Sequence, residues 1–289
     1  MVKRLSKGDL IFTCIVYVFL IVFTISILFP LIYVITTSFA PVRDYYTRGF
    51  FLLPSSWTLE AYQYLLHNPG FISAFKSSVI ITAVGTVINI TLTSLMAYGL
   101  SESWIKGRSV VNFLILFTML FSGGLIPSYL VVDALGLIDT YWALWLPVAI
   151  APFNVIVMRS FFAALPYELK ESARIDGCGE WRMLARIILP LAKPAIATFT
   201  LFYLVGNWNT YFSAVIYLNN DSKWPLQVFL RQMLILNDDK IGQLNEMIYS
   251  YTPAARMAAI LITALPLLII YPFLQKYFNK GMLVGSVKG

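Results

Sequence analysis

The stretch ALPYELKESARIDGCGEWRMLARIILPLAKP, residues 164–194, is charged and helical in pattern, is interrupted by Asp176-Gly177, and has apolar segments on both sides. Leu165-Pro166 begins a first short helix, because proline at the first helical position gives up an amide that would be unpaired anyway. Glu168 stands in the first turn, where its charge complements the helix dipole. Leu169 and Ala173 supply apolar positions at helical spacing, with the small Ser172 beside them. Gly177 tolerates left-handed backbone angles and stops the helix cheaply. Trp181, Leu184, Ala185 and Ile188 then recur at three or four, and Leu189-Pro190 ends the second helix. The pattern predicts a helix, a sharp turn and a helix. On the residues alone it is either an amphipathic connector resting on a membrane surface or a docking element that carries force from a soluble partner.

The rest of the chain supplies the membrane. Of 289 residues, 59% are hydrophobic and only 12% charged, and the mean hydropathy is +0.76. A soluble domain is nearer about one quarter charged. The class is a polytopic all-α membrane protein. The net charge of +7 is not gathered into a soluble domain. The basic residues sit at the ends of apolar runs, where lipid headgroups and the membrane potential explain them without nucleic acid. Cys14 lies in an apolar run and Cys178 in the elbow, so neither a mutual disulfide nor a metal pair is expected. Lys3, Arg4 and Lys7 precede an apolar run too long for a cleaved signal, and it reads as an uncleaved first span.

Six spans are expected, at about residues 10–38, 71–100, 110–132, 140–159, 191–218 and 253–275, each long enough for a hydrocarbon core of about 30 Å. Gly and Pro interrupt the third and fourth, and such breaks belong against protein or a cavity. No linker or repeat divides the chain, so 1–289 reads as a single transmembrane domain. Fourteen of the 21 basic residues fall at the N-terminus, in the 101–109 loop, in the elbow region and at the C-terminus. Six spans place all four regions on one side, with both termini and the elbow in the cytoplasm. The opposite side takes the loops at 39–70, 133–139 and 219–252.

Chemistry of its own is not expected of this chain. It has no Gly-Lys dipeptide and therefore no phosphate-cradling loop of the G-x4-G-K-[ST] type. Ser122-Gly123-Gly124 lies in an apolar run, where its glycines loosen the third span or let it pack closely. His67 is the lone histidine and has no paired ligands. The spans hold no central ionisable residue, which disfavours a membrane enzyme, a proton relay and an ion-coupled secondary carrier. Lys76 lies near the outer end of the second span, where it can snorkel.

A pathway for a neutral polar solute needs amides, hydroxyls and aromatic faces. Asn89, Thr91 and Ser94 lie in the second span, Asn154 in the fourth, and GNWNTYF, residues 206–212, is the most polar part of the fifth. Asn207 and Tyr211 share a face at a spacing of four, and Trp208 and Asn209 stand between them. Amides cannot be left facing lipid cheaply. These side chains either contact solute or hold helices together. Tyr141, Trp142 and Trp145 read as interfacial belt residues. In the long outer loop, PLQVFLRQML reads as a short amphipathic helix with Leu226, Leu230 and Leu234 on one face.

Glu171-Ser172-Ala173-Arg174-Ile175-Asp176-Gly177-Cys178 resembles the E-A-A-x-x-D-G-A loop of binding-protein-dependent ABC importer permeases. Ser172 and Cys178 are small replacements, and Ile188-Leu189-Pro190 and Pro194 follow the same pattern. FSGGLIPSYLVVDALGLIDTYWALWLP (121–147) and WPLQVFLRQML (224–234) resemble the carbohydrate-importer branch, closest to maltose-type permeases for complex oligosaccharides. The likeness covers nearly the whole chain. It implies a type I ABC importer permease fold in a bacterial plasma membrane. It also implies a coupling helix in a groove of an ATP-binding subunit, with Glu171, Ser172, Ala173, Arg174, Asp176 and Gly177 matching the contact motif. The implied partners are a second, homologous permease, two ATP-binding subunits that use ATP and Mg, and an extracytoplasmic solute-binding protein. This chain would bind no cofactor itself. By likeness to the maltose permease, residues around 237–246, with Asn237, Asp238, Asp239 and Asn245, contact the binding protein. The elbow reports the engine and not the cargo, so a non-sugar solute stays open at this point.

Overall fold

A computed structural model describes residues 7–235 and 252–285, with side chains for 8–235 and 252–272. The described residues are helical or irregular. The chain divides into two compact units, Met1–Pro69 with Leu230–Ala264 and Gly70–Phe229 with Leu265–Gly289.

In the first unit, α1 (Lys7–Ser38) is apolar all round, and none of its most hydrophobic window is buried within the chain. A helix of that kind belongs in hydrocarbon. The loop that follows is ordered around α2 (Val42–Thr47) and α3 (Glu60–His67). The buried Asp44 accepts from Ser55 Oγ and Ser55 N, both at 2.6 Å. These two bonds, the side-chain one first, hold its carboxyl below the usual carboxylate range against the cost of burial. His67 Nδ1 lies 2.7 Å from the Gln63 carbonyl one turn back, and no group of three or more metal-ligating side chains occurs among the described residues.

In the second unit, α4 (Pro69–Ser101) is a 33-residue helix. Its inward face carries Ser78, Thr82, Thr86, Asn89 and Thr93, all buried and spaced as one helical stripe. Thr91 points outward. The expected third span is two helices, α5 (Arg108–Leu120) and α6 (Leu125–Ala134). They bend by 119° at the break that holds Ser122-Gly123-Gly124, so they are not one straight crossing. Gly124 has φ +87 there, a backbone state that favours glycine.

The expected fourth span is not one helix either. The four residues of α7 (Trp142–Trp145) are followed by an irregular stretch and then by α8 (Pro152–Ala163). Twelve residues of α8 are shorter than the about 20 a crossing helix needs, and Pro147 and Pro152 flank the break. The fifth begins at α12 (Lys193–Trp208) and stops at Trp208, with α13 (Phe212–Tyr217) resuming after an irregular turn. It meets the preceding helical stretch, Glu180–Leu191, at 86°.

The short α14 (Leu226–Ile235) lies where expected. Its buried side chains are Leu226, Val228, Leu230 and Met233, whereas Leu234 is exposed. The last helix is α15 (Pro253–Gly285). Three helices among the described residues are long and apolar enough to cross a membrane, or up to five if each bent pair is one span.

Candidate functional site

The elbow is built by one helix stop. The first helix, α9 (Tyr167–Ile175), starts one residue later than expected, with Pro166 as its N-cap. At its other end Gly177 has φ +74. Gly177 N donates to the Arg174 carbonyl at 3.0 Å and Cys178 N to the Ala173 carbonyl at 2.9 Å. Those two bonds around a left-handed glycine are a Schellman motif. A Cβ on Gly177 would meet nothing within 4 Å, so the requirement there is the backbone angle and not space. The chain then re-enters α10 (Glu180–Met183), passes through a π turn (Leu184–Ile188) and ends in α11 (Leu189–Leu191).

The inward face of the elbow differs from the expected one. Leu169 and Trp181 are exposed, and so are Tyr167 and Ile175. Lys170, Ala173, Met183, Leu184 and Ile188 are buried. Ala173, Met183, Leu184 and Ile188 pack with Ala97, Met158, Phe162 and Phe199. Lys170 can turn inward because Glu102, just past the end of α4, is there to meet it. Lys170 Nζ stands 2.8 Å from Glu102 Oε1, and Arg174 Nη2 stands 2.6 Å from Glu102 Oε2. The Lys170 and Glu102 side chains are only 6% and 4% exposed. Arg174 Nε also reaches Glu180 Oε1 at 3.2 Å, and the Tyr98 hydroxyl donates to Glu180 Oε2. Burial raises the pKa of the Glu102 carboxyl, but the bonds from Lys170 and Arg174 outweigh it and hold the group below its ordinary value.

Of the six residues matched to the contact motif, Ala173 and Arg174 are spent inside the chain. Glu171, Ser172, Asp176 and Gly177 are exposed. The outward face of α9 and its turn is therefore acidic and apolar, with Glu168, Glu171 and Asp176 beside Tyr167 and Ile175, while the second elbow helix exposes Arg182 and Arg186. Sequence reasoning missed Glu102 and Lys170. A lone glutamate after a span and a lysine within a helix gave no sign that they meet across 68 residues.

The second feature is an open cleft of about 470 Å³ lined by residues of α4, α8, α12 and the turn after it. Asn89, Asn154, Asn207, Asn209 and Tyr211 line it, together with Tyr203, Thr210 and Ser213. No Asp, Glu, Lys, Arg or His is among the described lining residues. Trp208 is not in the lining. It is buried, with its ring edge-on to Phe75 at 6.3 Å. Asn207 and Tyr211 do not share a helical face, because α12 ends at Trp208, one residue past Asn207, yet both reach the cleft.

The amides divide by what they touch. Asn89 Nδ2 donates to the carbonyls of Val148 and Ala149 at 2.8 and 3.0 Å. Those carbonyls belong to the irregular stretch between α7 and α8, which has no ladder of its own to satisfy them. Asn207 Nδ2 donates to Asn89 Oδ1 at 2.9 Å and to Thr86 Oγ1 at 3.2 Å. Gly85 makes room for this: a Cβ there would lie 3.0 Å from Asn207 Nδ2 and from Trp145 Cδ1. Asn209 bonds the Val205 carbonyl and accepts from Gln227. Asn154 is buried, lines the cleft, and its side chain makes no hydrogen bond among the described residues.

Two of the three aromatic residues assigned to an interfacial belt have inner roles instead. Trp145 is buried and donates from Nε1 to the Ile81 carbonyl at 3.1 Å. The Tyr141 hydroxyl lies 2.8 Å from Ser77 Oγ. Only Trp142 is exposed.

Elsewhere in this unit, Asp139 joins two loops. Its Oδ1 accepts from the amides of Asn219 and Asn220 at 3.1 and 3.0 Å, and Lys223 Nζ stands 2.8 Å from Oδ2. Lys223 first, with Asn220 and Asn219, holds the Asp139 carboxyl below its usual range. Asn237, Asp238, Asp239 and Asn245 lie outside the described residues.

The family described as "Binding-protein-dependent transport system inner membrane component" matches residues 2–284. Protein LplC of Bacillus subtilis (strain 168) is 51% identical over 262 residues, covering 90% of this chain and 89% of that protein. The polygalacturonan/rhamnogalacturonan transport system permease protein YtcP of the same organism is 46% identical over 96% of this chain and 99% of that one. Among solved structures, a bacterial ABC transporter involved in the import of the acidic polysaccharide alginate superposes with a TM-score of 0.88. It is 33% identical to this chain and covers 96% of it and 99% of the compared chain.

Proposed function

The chain belongs to the family of binding-protein-dependent transport system inner membrane components, and from that premise we propose that it moves an oligosaccharide across a bacterial plasma membrane by alternating access. It is a permease subunit and not an enzyme. ATP hydrolysis takes place in separate ATP-binding subunits, and the sugar arrives on an extracytoplasmic binding protein. The relatives that carry polygalacturonan and alginate support a polysaccharide-derived cargo.

The observation that carries this reading is the pairing of an elbow whose acidic and apolar residues stand free with a cleft whose described lining offers amides and hydroxyls in an apolar wall, with no carboxylate, ammonium, guanidinium or imidazole. A cleft without a proton or ion carrier leaves the driving force to the elbow. Glu171, Ser172, Asp176 and Gly177 would touch the ATP-binding subunit, and Ala173 and Arg174 would hold their helix in place. Asn154, Asn209 and Tyr211 would face the sugar, while Asn89 and Asn207 shape the wall. Asn237, Asp238, Asp239 and Asn245 would meet the binding protein. The bent pair α5–α6, the α7–α8 stretch and the pair α12–α13 would each count as one crossing beside α1, α4 and α15, giving six spans in a single domain with both termini in the cytoplasm. A second, homologous permease and two ATP-binding subunits would complete the assembly.

The test is thiol accessibility. Asn154→Cys and Thr210→Cys, made after replacing Cys14 and Cys178, are probed with a water-soluble thiol reagent in the reconstituted complex. Labelling should differ between nucleotide-free and ATP-bound states. Complete protection in every state would leave these side chains as packing between helices.

A further inference from the structure

The elbow touches the membrane helices in two different ways. Its apolar side packs into a cluster shared by α4, α8 and α12, and such contacts are not directional. Among the described residues its charged side makes directional bonds to one other element, the cytoplasmic end of α4. Glu102 takes Lys170 and Arg174 on its two oxygens, and Tyr98 of α4 reaches Glu180 on the second helix of the elbow. Both elbow helices are thus held to the same end of the same helix, on either side of the Gly177 turn. Arg159 of α8 adds to this point by donating from Nε to the Leu100 carbonyl at 3.1 Å and from Nη1 to Asn112 Oδ1 at 3.3 Å. The connection to α12 runs through a π turn and an 86° bend, and single π turns recur at functional sites and at sharp kinks in helices.

We propose that Glu102 is the positioning residue that couples the elbow to α4, so that a displacement imposed on the elbow is carried into α4, and with it the Asn89 wall of the cleft, while the link to α12 yields at the π turn. The inference rests on the reading that ATP-binding subunits dock on the elbow. The geometry behind it is that of a buried carboxylate bridging two cations. Charge-assisted hydrogen bonds of that kind fix direction as well as distance, and removing one member leaves its buried partners uncompensated. Apolar packing alone would let the elbow slide along α4 without turning it.

The experiment uses the complete complex in proteoliposomes and compares wild type with Glu102→Gln and Glu102→Asp. Three quantities are read: retention of the ATP-binding subunits, ATP hydrolysis with and without loaded binding protein, and sugar imported per ATP. With Glu102→Gln the ATP-binding subunits should stay bound and hydrolysis without binding protein should persist. Sugar imported per ATP should fall about tenfold, the scale of a lost coupling contact. Glu102→Asp keeps the charge on a shorter arm and should recover part of that loss. The proposal is overturned if Glu102→Gln imports as much sugar per ATP as wild type. It is equally overturned if hydrolysis and import decline in proportion because the subunits dissociate, which would make Glu102 a folding contact only. If wild type itself binds no ATP-binding subunit, the failure belongs to the docking reading and the coupling proposal goes with it.

Discussion

The carboxamides of Asn89 and Asn207 are joined head to tail: Asn207 Nδ2 donates to Asn89 Oδ1 at 2.9 Å, and Asn89 spends both of its own donor hydrogens on the Val148 and Ala149 carbonyls. The pair links α4, α12 and the break between α7 and α8. Asn89→Ala removes the donors that satisfy two carbonyls in an apolar setting, at a cost of about 1–3 kcal/mol. The expected outcome is a lower midpoint of thermal unfolding in detergent for the purified complex. Asn154→Ala breaks no internal bond and should leave that midpoint near wild type while weakening transport. Equal destabilisation by both changes would contradict the division between wall and contact residues.

Gly177 bears on the elbow through its backbone alone. Its φ of +74 costs an L-residue about 1–2 kcal/mol, and no neighbour obstructs a Cβ. Gly177→Ala should therefore weaken binding-protein-stimulated ATP hydrolysis only modestly. Gly177→Val, bulky and β-branched, should weaken it severely. If the two variants behaved alike, the turn would not depend on left-handed geometry.

The Asp139 clamp gives a pH dependence of definite sign. Its carboxyl is held below the ordinary value, so the clamp is fully present above the usual carboxylate range near about 4. It is lost as pH falls through the depressed value. Hydrogen exchange at the Asn219 and Asn220 amides, corrected for intrinsic rates, should stay protected from pH 8 to about 5. Protection should fail only in stronger acid, and Asp139→Asn should weaken it at neutral pH. Loss of protection in wild type between pH 7 and about 5 would show that another group holds these amides.

Much of this architecture is legible in the sequence where one residue dictates a local event. Gly177 ends a helix, and the long apolar runs of α1, α4 and α15 form single helices. The elbow was legible as helix, turn and helix for that reason. Its inward face was not, because Lys170 becomes a buried residue only through Glu102, and a periodicity of apolar residues cannot register an ion pair formed at a distance. The same holds for the cleft. GNWNTYF announced polarity at depth, but the end of α12 at Trp208 turned Trp208 one way and Tyr211 another. Tyr141 and Trp145 read as belt residues until Ser77 and the Ile81 carbonyl were seen to receive them. Gly85 gave no sequence sign that Asn207 and Trp145 close on it.

The central claim is that ATP, acting through partner subunits, drives an oligosaccharide past this chain. It is tested most directly by uptake into proteoliposomes holding the permease, its partner permease and the ATP-binding subunits, with the oligosaccharide that co-purifies with the binding protein supplied on it. Uptake is predicted to require enclosed hydrolysable ATP and loaded binding protein, and to be indifferent to an imposed proton or sodium gradient. Uptake that follows an ion gradient without ATP would contradict the account.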